Sequence, residues 1–356
     1  MIEKMPPFAC LANILVHRTP QARPLHEAGS FCGTRGSCVR RLLIANALLL
    51  LLAAPARAQG NDDAQKCAET SIPDLALARC TRAIQSRELS EPNMAAALNN
   101  RGNAYQSKGD YARAIADYNE AIKLSFDSAM IYNNRGRAHQ QRGDYERAIQ
   151  DYEQAIRLDP TSALAFNNRG RVNHLQENYA QAIEDYDKAI ALDPAYQLAY
   201  YNRAFARFDQ GLFSASVSDF ARAVELDPSR AYRVLGLYLA KARAGDLDRK
   251  DLARHAARLD LTRWPGPVVA LFLGQITPQA MIAAAQDPDP NALRERYCEA
   301  YFYAGEFYLI HGQRTAAVQM FQSAVATATT SLVEHSSAKG ELRRLGRMGE
   351  RKGGGN

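Results

Sequence analysis

The chain has 356 residues, enough for two or three ordinary domains or for one elongated solenoid, and its composition does not choose between them. A formal net charge of +6 taken whole would suggest a nucleic-acid partner. Residues 1–58, however, hold seven Lys/Arg against two Asp/Glu, and the remainder carries 37 against 36, so the excess basicity is local and a nucleic-acid partner is excluded.

In chain order, the first element is an export signal. Arg40 and Arg41 precede a largely apolar run of 13 residues, Leu42 to Ala54, followed by Pro55 and Ala56-Arg57-Ala58. A charged end, a short apolar core and a small-x-small site make a secretory signal peptide over 39–58, with cleavage expected after Ala58. Such a run is too short to cross a bilayer as a helix, so the mature chain is expected to be periplasmic and without a transmembrane helix. Residues 1–38 fit two readings: a mis-assigned start, with translation beginning at Val39, or a long disordered leader. Arg40-Arg41 before Leu42-Leu43 also resembles a twin-arginine export signal.

Further on, the chain repeats itself every 34 residues. Asn99-Asn100-Arg101-Gly102 recurs as Asn133-Asn134-Arg135-Gly136, as Asn167-Asn168-Arg169-Gly170 and as Tyr201-Asn202-Arg203-Ala204. Each copy continues with a small residue (Ala114, Ala148, Ala182, Ser216), an aromatic (Tyr118, Tyr152, Tyr186, Phe220) and an alanine (Ala121, Ala155, Ala189, Ala223). Three copies then close with Pro160, Pro194 or Pro228. Small residues at the eighth, twentieth and twenty-seventh places let two helices approach closely, the aromatic at the twenty-fourth fills the gap between them, and proline ends the second helix. Four such units are predicted over 95–230. With this pattern on this period the chain resembles the tetratricopeptide-repeat (TPR) family. The resemblance implies an all-α, right-handed superhelix of helix pairs whose first helices line a concave groove.

The segments flanking the four units fit the same template. Upstream, over 61–94, Ala76, Cys80 and Ala83 match the twentieth, twenty-fourth and twenty-seventh places of a degenerate pair whose link to the next unit is four residues longer than usual. Cys67 then falls at the eleventh place, facing Cys80. Two readings follow: a disulfide, as an exported chain would form, or two small residues packed unoxidised. Downstream, residues 231–297 read as a degenerate helical region. Gly305, Tyr308, Gly312, Ala317, Phe321 and Ala324 place a C-terminal unit over 298–331, a polar capping helix over 332–347 comes next, and 348–356 is expected to be a disordered tail. Cys298 is expected to be a buried thiol.

Two sets of polar residues recur with the repeat. Asn100, Asn134, Asn168 and Asn202 at the sixth place, with Asn103, Arg137 and Arg171 at the ninth, are candidates to hold the backbone of an extended peptide, because an amide donates and accepts at once and an arginine grips carboxylates. The alternative is a ladder of amides bridging neighbouring helices. Arg101, Arg135, Arg169 and Arg203 at the seventh place each have an aspartate sixteen residues on, Asp117, Asp151, Asp185 and Asp219, and are read as structural ion pairs between facing helices. Enzyme motifs are absent: there is no Gly-rich phosphate loop, zinc-spaced His/Cys cluster or Gly-x-Ser-x-Gly, so no catalysis, metal or cofactor is expected.

From Tyr232 onward the chain resembles the NlpI type of TPR lipoprotein of the bacterial envelope. The likeness rests on Leu237-Tyr238-Leu239-Ala240, Trp264 with Phe272-Leu273-Gly274, Tyr301-Phe302-Tyr303-Ala304-Gly305, Val333-Glu334-His335 and Leu345-Gly346. It implies a dimerising adaptor that brings cell-wall endopeptidases to a processing protease in the periplasm. One departure stands out: that family carries an acylated cysteine directly after its signal, whereas Gln59 stands here, so a form without a lipid anchor is expected. The reading of a different class is a non-catalytic structural scaffold of the envelope.

Overall fold

The structure, a computed structural model, describes Asp63, Gln65 to Cys67, Glu69, Thr70 and residues 72–353. The expectations for 1–38 and 39–58 fall outside the described residues, as does the end of the tail, 354–356. Among the described residues there is no β-strand, and no helix is long and apolar enough to cross a membrane.

Helices alternate in pairs. A helical stretch around Cys67 pairs with α1 (Pro73–Gln85). Four regular pairs follow: α2 (Glu91–Ser107) with α3 (Tyr111–Leu124), α4 (Ala129–Gln141) with α5 (Tyr145–Leu158), α6 (Ala163–Leu175) with α7 (Tyr179–Leu192), and α8 (Gln197–Asp209) with α9 (Phe213–Leu226). The four-residue insertion upstream of the first pair is absorbed as helix: α2 has 17 residues where α4, α6 and α8 have 13, an addition of about one turn. Proline follows α5, α7 and α9, yet α3 ends at the same place with Ser125 as its cap and Phe126 where the others have proline. Proline therefore reinforces a stop that the turn geometry already sets.

Within each pair the close approach expected from small residues is present. Tyr118, Tyr152, Tyr186 and Phe220 are fully buried, as are Ala114, Ala148 and Ala182. A Cβ added to Gly136 would lie 2.9 Å from a ring carbon of Tyr152, inside contact distance, so the helices meet with the ring edge against bare backbone. Successive first helices touch one another (α2 with α4, α4 with α6, α6 with α8, α8 with α10), while successive second helices are held apart. The stack therefore curves, with the first helices on its inner side.

Beyond the fourth pair come α10 (Ala231–Arg243), the short α11 (Arg249–Ala256), α12 (Gly266–Phe272) and α13 (Pro278–Ala283), then the hairpin α14 (Pro290–Ile310) and α15 (Arg314–Ala326), and last α16 (Val333–Gly353). The C-terminal unit thus starts at Pro290, ahead of the expected 298, and the last helix runs six residues past the expected 347, into the stretch read as a disordered tail. Val234, Leu235, Leu239, Val268, Leu271, Phe272, Phe302, Tyr303 and Phe321 join Phe205, Phe208 and Phe220 of the fourth pair in one large apolar core. By contrast, the second and third pairs carry only small clusters around Tyr152 and Tyr186.

Cys67 and Cys80 form a disulfide, their α-carbons 5.0 Å apart and both side chains buried. It links cysteines 13 positions apart in sequence, across a helix pair with little apolar core of its own. Replacing both cysteines by alanine is expected to remove about 3 kcal/mol from this first pair. Limited trypsinolysis at Arg79 and Arg82 reads the loss; cleavage as slow as in the parent chain would contradict it.

Candidate binding groove

The inner side is built by α2, α4, α6 and α8. Each sixth-place amide donates to the fifth-place amide of the preceding pair: Asn134 Nδ2 to Asn99 Oδ1, Asn168 Nδ2 to Asn133 Oδ1 and Asn202 Nδ2 to Asn167 Oδ1, each at 2.9 Å. These amides are therefore staples between successive inner helices, and Asn134 itself is buried. Asn100 has no earlier regular pair to donate to. It lines a small cavity of about 190 Å³ with Asn103, Ser107, Thr70 and Cys67 at the N-terminal end of the stack.

The ninth-place residues differ from one another. Asn103 Oδ1 accepts from Tyr118 Oη at 2.7 Å and so belongs to the core of its own pair. Arg137 is exposed and reaches Gln106 Oε1 at 3.3 Å. Arg171 donates to the backbone carbonyl of Ser331 at 3.3 Å, a residue of the segment leading into α16.

The seventh-place arginines meet their aspartates in two parallel bonds each, with Nη2 to Oδ1 distances of 2.7 Å for Arg101–Asp117 and 2.6 Å for Arg135–Asp151, Arg169–Asp185 and Arg203–Asp219. Three of these guanidiniums also lie over an aromatic three residues earlier, Arg135 over Tyr132, Arg169 over Phe166 and Arg203 over Tyr200, at 5.4 to 5.7 Å from the ring centre. Planar charges that are both forked and stacked hold the pairs in register.

The polar helix expected as a cap at the C-terminal end is α16. α16 packs on α14 and α15 and turns back onto the inner faces of α6 and α8. Ser337 Oγ donates to Asp209 Oδ2 at 2.9 Å, and the same carboxylate oxygen is 2.7 Å from His174 Nε2. Arg343 pairs with Glu177 at 2.6 Å, and Arg344 donates to the carbonyl of Asp209 at 2.8 Å. Tyr145 Oη donates to the carbonyl of Thr330 at 2.9 Å. The groove expected to run open along all four pairs is thus filled at α6 and α8, because a small-residue helix with polar side chains finds partners there that the periodic pattern does not reveal.

Where α16 begins, Glu334 is buried, and its carboxyl is pushed up to about 8 by loss of water and by the neighbouring charge of Glu299. Glu299 is itself raised by burial, and accepts from Trp264 Nε1 at 2.6 Å and Tyr232 Oη at 2.7 Å. The folded Glu334 keeps its proton up to about pH 8, whereas unfolded it lets go near 4.5, so the folded state binds more protons across that window. Stability from this group is fully present at low pH and is lost as pH rises towards 8. Buried His139 and His335, lowered by desolvation, act in the opposite sense below about pH 6.5. Between pH 6.5 and 8.5 the melting temperature is expected to fall, by the equivalent of about 2 kcal/mol, and Glu334→Gln should flatten that slope and melt higher than the parent at pH 8.5. A variant with the parent's slope would contradict the assignment.

One row of residues went unread in the sequence. Met130, Leu164 and Leu198, at the second place of successive repeats on the first turns of α4, α6 and α8, are 60%, 49% and 43% exposed. The period of 34 that places the asparagines places these as well, and their apolar character at a solvent-facing position was the available signal. Among the described residues no group of three or more His, Cys, Asp or Glu could hold a metal ion. Cys298 is buried as a free thiol, pushed up to about 11 by burial.

Comparison with protein-family models agrees with the 34-residue spacing: three models described as tetratricopeptide repeat match residues 93–161, 133–196 and 198–230. The chain carries tetratricopeptide repeats. Among solved structures, a tetratricopeptide repeat protein from Parabacteroides merdae is 16% identical with a TM-score of 0.50, over 80% of this chain and 99% of that one, a likeness of fold. MamA protein is 25% identical with a TM-score of 0.42, over 49% of this chain and 93% of its own. YrrB, described as a TPR protein with an unusual peptide-binding site, is 22% identical with a TM-score of 0.41, over 55% and 98%.

Proposed function

We propose that this protein is an exported adaptor that binds a segment of another protein along the lip and open N-terminal part of its TPR groove, and performs no chemistry on it. The observation that carries the reading is the row Met130, Leu164 and Leu198, large apolar side chains left to water at one per repeat beside exposed Arg137. A solenoid offers a partner one equivalent rung per unit, so an extended segment with apolar side chains and a carboxylate meets the same chemistry repeatedly. The signal pattern at 39–58 supports export, and the disulfide fits an oxidising compartment such as the periplasm. The likeness of the C-terminal half to NlpI-type lipoproteins suggests the clients: cell-wall endopeptidases and a processing protease, with the adaptor as a homodimer.

The amide staples decide which substitutions test this. Asn134→Ala would strand Asn99 and lower stability, so lost capture would be ambiguous. Met130→Asp with Arg137→Ala changes exposed groups only. Capture of periplasmic proteins, read by pull-down and mass spectrometry, is expected to fall about tenfold, with the melting temperature within 1–2 °C of the parent. Undiminished capture would rule out this lip. It would favour a structural envelope scaffold, a reading that the internal use of the amides supports.

A further inference from the structure

The four TPR units are near copies, and some of their departures from one another fall where α16 docks. The twelfth place is Gln106, Gln140, then His174 and Phe208; the thirteenth is Ser107, Gln141 and Leu175, then Asp209. At the turn between helices, Gly109, Gly143 and Gly211 take a left-handed φ of 76° to 82°, the conformation glycine tolerates best. The third unit has Glu177 there instead, at a φ of 66°, and its carboxylate meets Arg343 of α16. A side chain placed where the fold prefers none, and paired with the last helix, indicates that the docking is built into the repeats.

The seam is also unlike the core. Towards α6 and α8, α16 presents Ser337, Arg343 and Arg344, and their partners are Asp209, Glu177 and two backbone carbonyls. His174 Nδ1 is buried there without a hydrogen-bond partner. Towards α14 and α15 the same helix sets Ala338, Leu342 and Leu345 in the large core, with Glu341 buried beside them and held by Arg243. A helix held on one side by a packed core and a buried ionic group, and on the other by hydrogen bonds and the part-exposed pair Arg343–Glu177, parts first along the second side, where water replaces each lost bond.

We propose that α16 is a reversibly seated lid: it closes the part of the groove formed by α6 and α8, and swings out along its polar seam to let a partner segment lie there. The proposal rests on the groove reading only for the partner; the opening of the lid stands by itself.

Ser336, buried on α16, offers a reporter. In the full chain carrying Ser336→Cys with Cys10, Cys32, Cys38 and Cys298 replaced by serine, the rate of thiol modification measures opening. Glu177→Gly restores the glycine of the other units and removes the pair with Arg343. With it the rate is expected to rise about threefold, the scale of a part-exposed ion pair, while the melting temperature stays level or increases. A rate that falls as the melting temperature increases, or that tracks loss of helical circular dichroism in urea, means that α16 leaves only on global unfolding, and overturns the lid. A fluorescein-labelled peptide of residues 329–346, added in trans, is expected to bind the Arg343→Ala chain, which keeps Glu177 for the peptide's own Arg343, about threefold more tightly than the parent. Equal binding, or none to either, overturns competition for this site. Neither readout touches Met130 or Arg137, so failure of the lid and failure of client capture are told apart.

Discussion

Replacing Arg243 by alanine is expected to lower the stability of the C-terminal half by about 3–5 kcal/mol, the range for removing one partner from a buried ionic group. The guanidinium, at the end of α10, lies 2.9 Å from Glu306 of α14 and 2.9 Å from Glu341 of α16, and stands 4.5 Å from the ring centre of Phe213. Glu306 and Glu341 are almost without solvent contact, so alanine leaves Glu306 without its ion-pair partner and Glu341 with Arg344 alone. Burial already pushes Glu306 up to about 7 with the arginine present. In the variant it can lose its unpaired charge by taking a proton, and the loss should be smaller at pH 6 than at pH 8. Arg243→Lys should restore only part, because a point charge cannot fork between two carboxylates. Urea unfolding followed by circular dichroism at both pH values measures this, and a loss below about 1 kcal/mol would mean the three groups are not coupled as described.

Tyr152→Ala is expected to cost a similar amount, about 3–5 kcal/mol, for a different reason. Its ring is fully buried between α4 and α5 with one edge against Gly136, in a pair whose own apolar cluster is small. Its buried apolar neighbours in that cluster are Ala148 and Val172. Its hydroxyl donates to Gln140 Oε1 at 3.1 Å, so Tyr152→Phe separates the hydrogen bond, about 1 kcal/mol, from the packing. Because each unit leans chiefly on its neighbours, amide exchange should show the loss concentrated in α4 to α6. An even loss across all helices would contradict a nearest-neighbour stack.

The two residues mark the limit of what the chain discloses by itself. Tyr152 was legible: an aromatic at the twenty-fourth place, with Gly136 and Ala155 at their offsets, repeats three more times, and repetition separates a packing requirement from accident. Asp151 with Arg135 and the disulfide partners Cys67 and Cys80 were readable in the same way, since each pair faces across one helix hairpin. The asparagine ladder was only half legible. Its period was plain, but whether an amide turns to a ligand or to the next helix depends on a neighbour 35 residues away in another unit.

Arg243, Glu177 and Asp209 carried no such mark. Their partners in the C-terminal half lie 63 to 166 residues off, on elements that follow no period, and nothing within a window of one or two helices distinguishes a polar side chain that meets water from one that meets α16. The sequence by itself determined the helices, their pairing and their stacking, because these follow from contacts between neighbours in the chain. The tertiary structure alone decided which stretch of the groove stays open, because that depends on where the far end of the solenoid returns, through contacts that close a long loop and leave no local pattern.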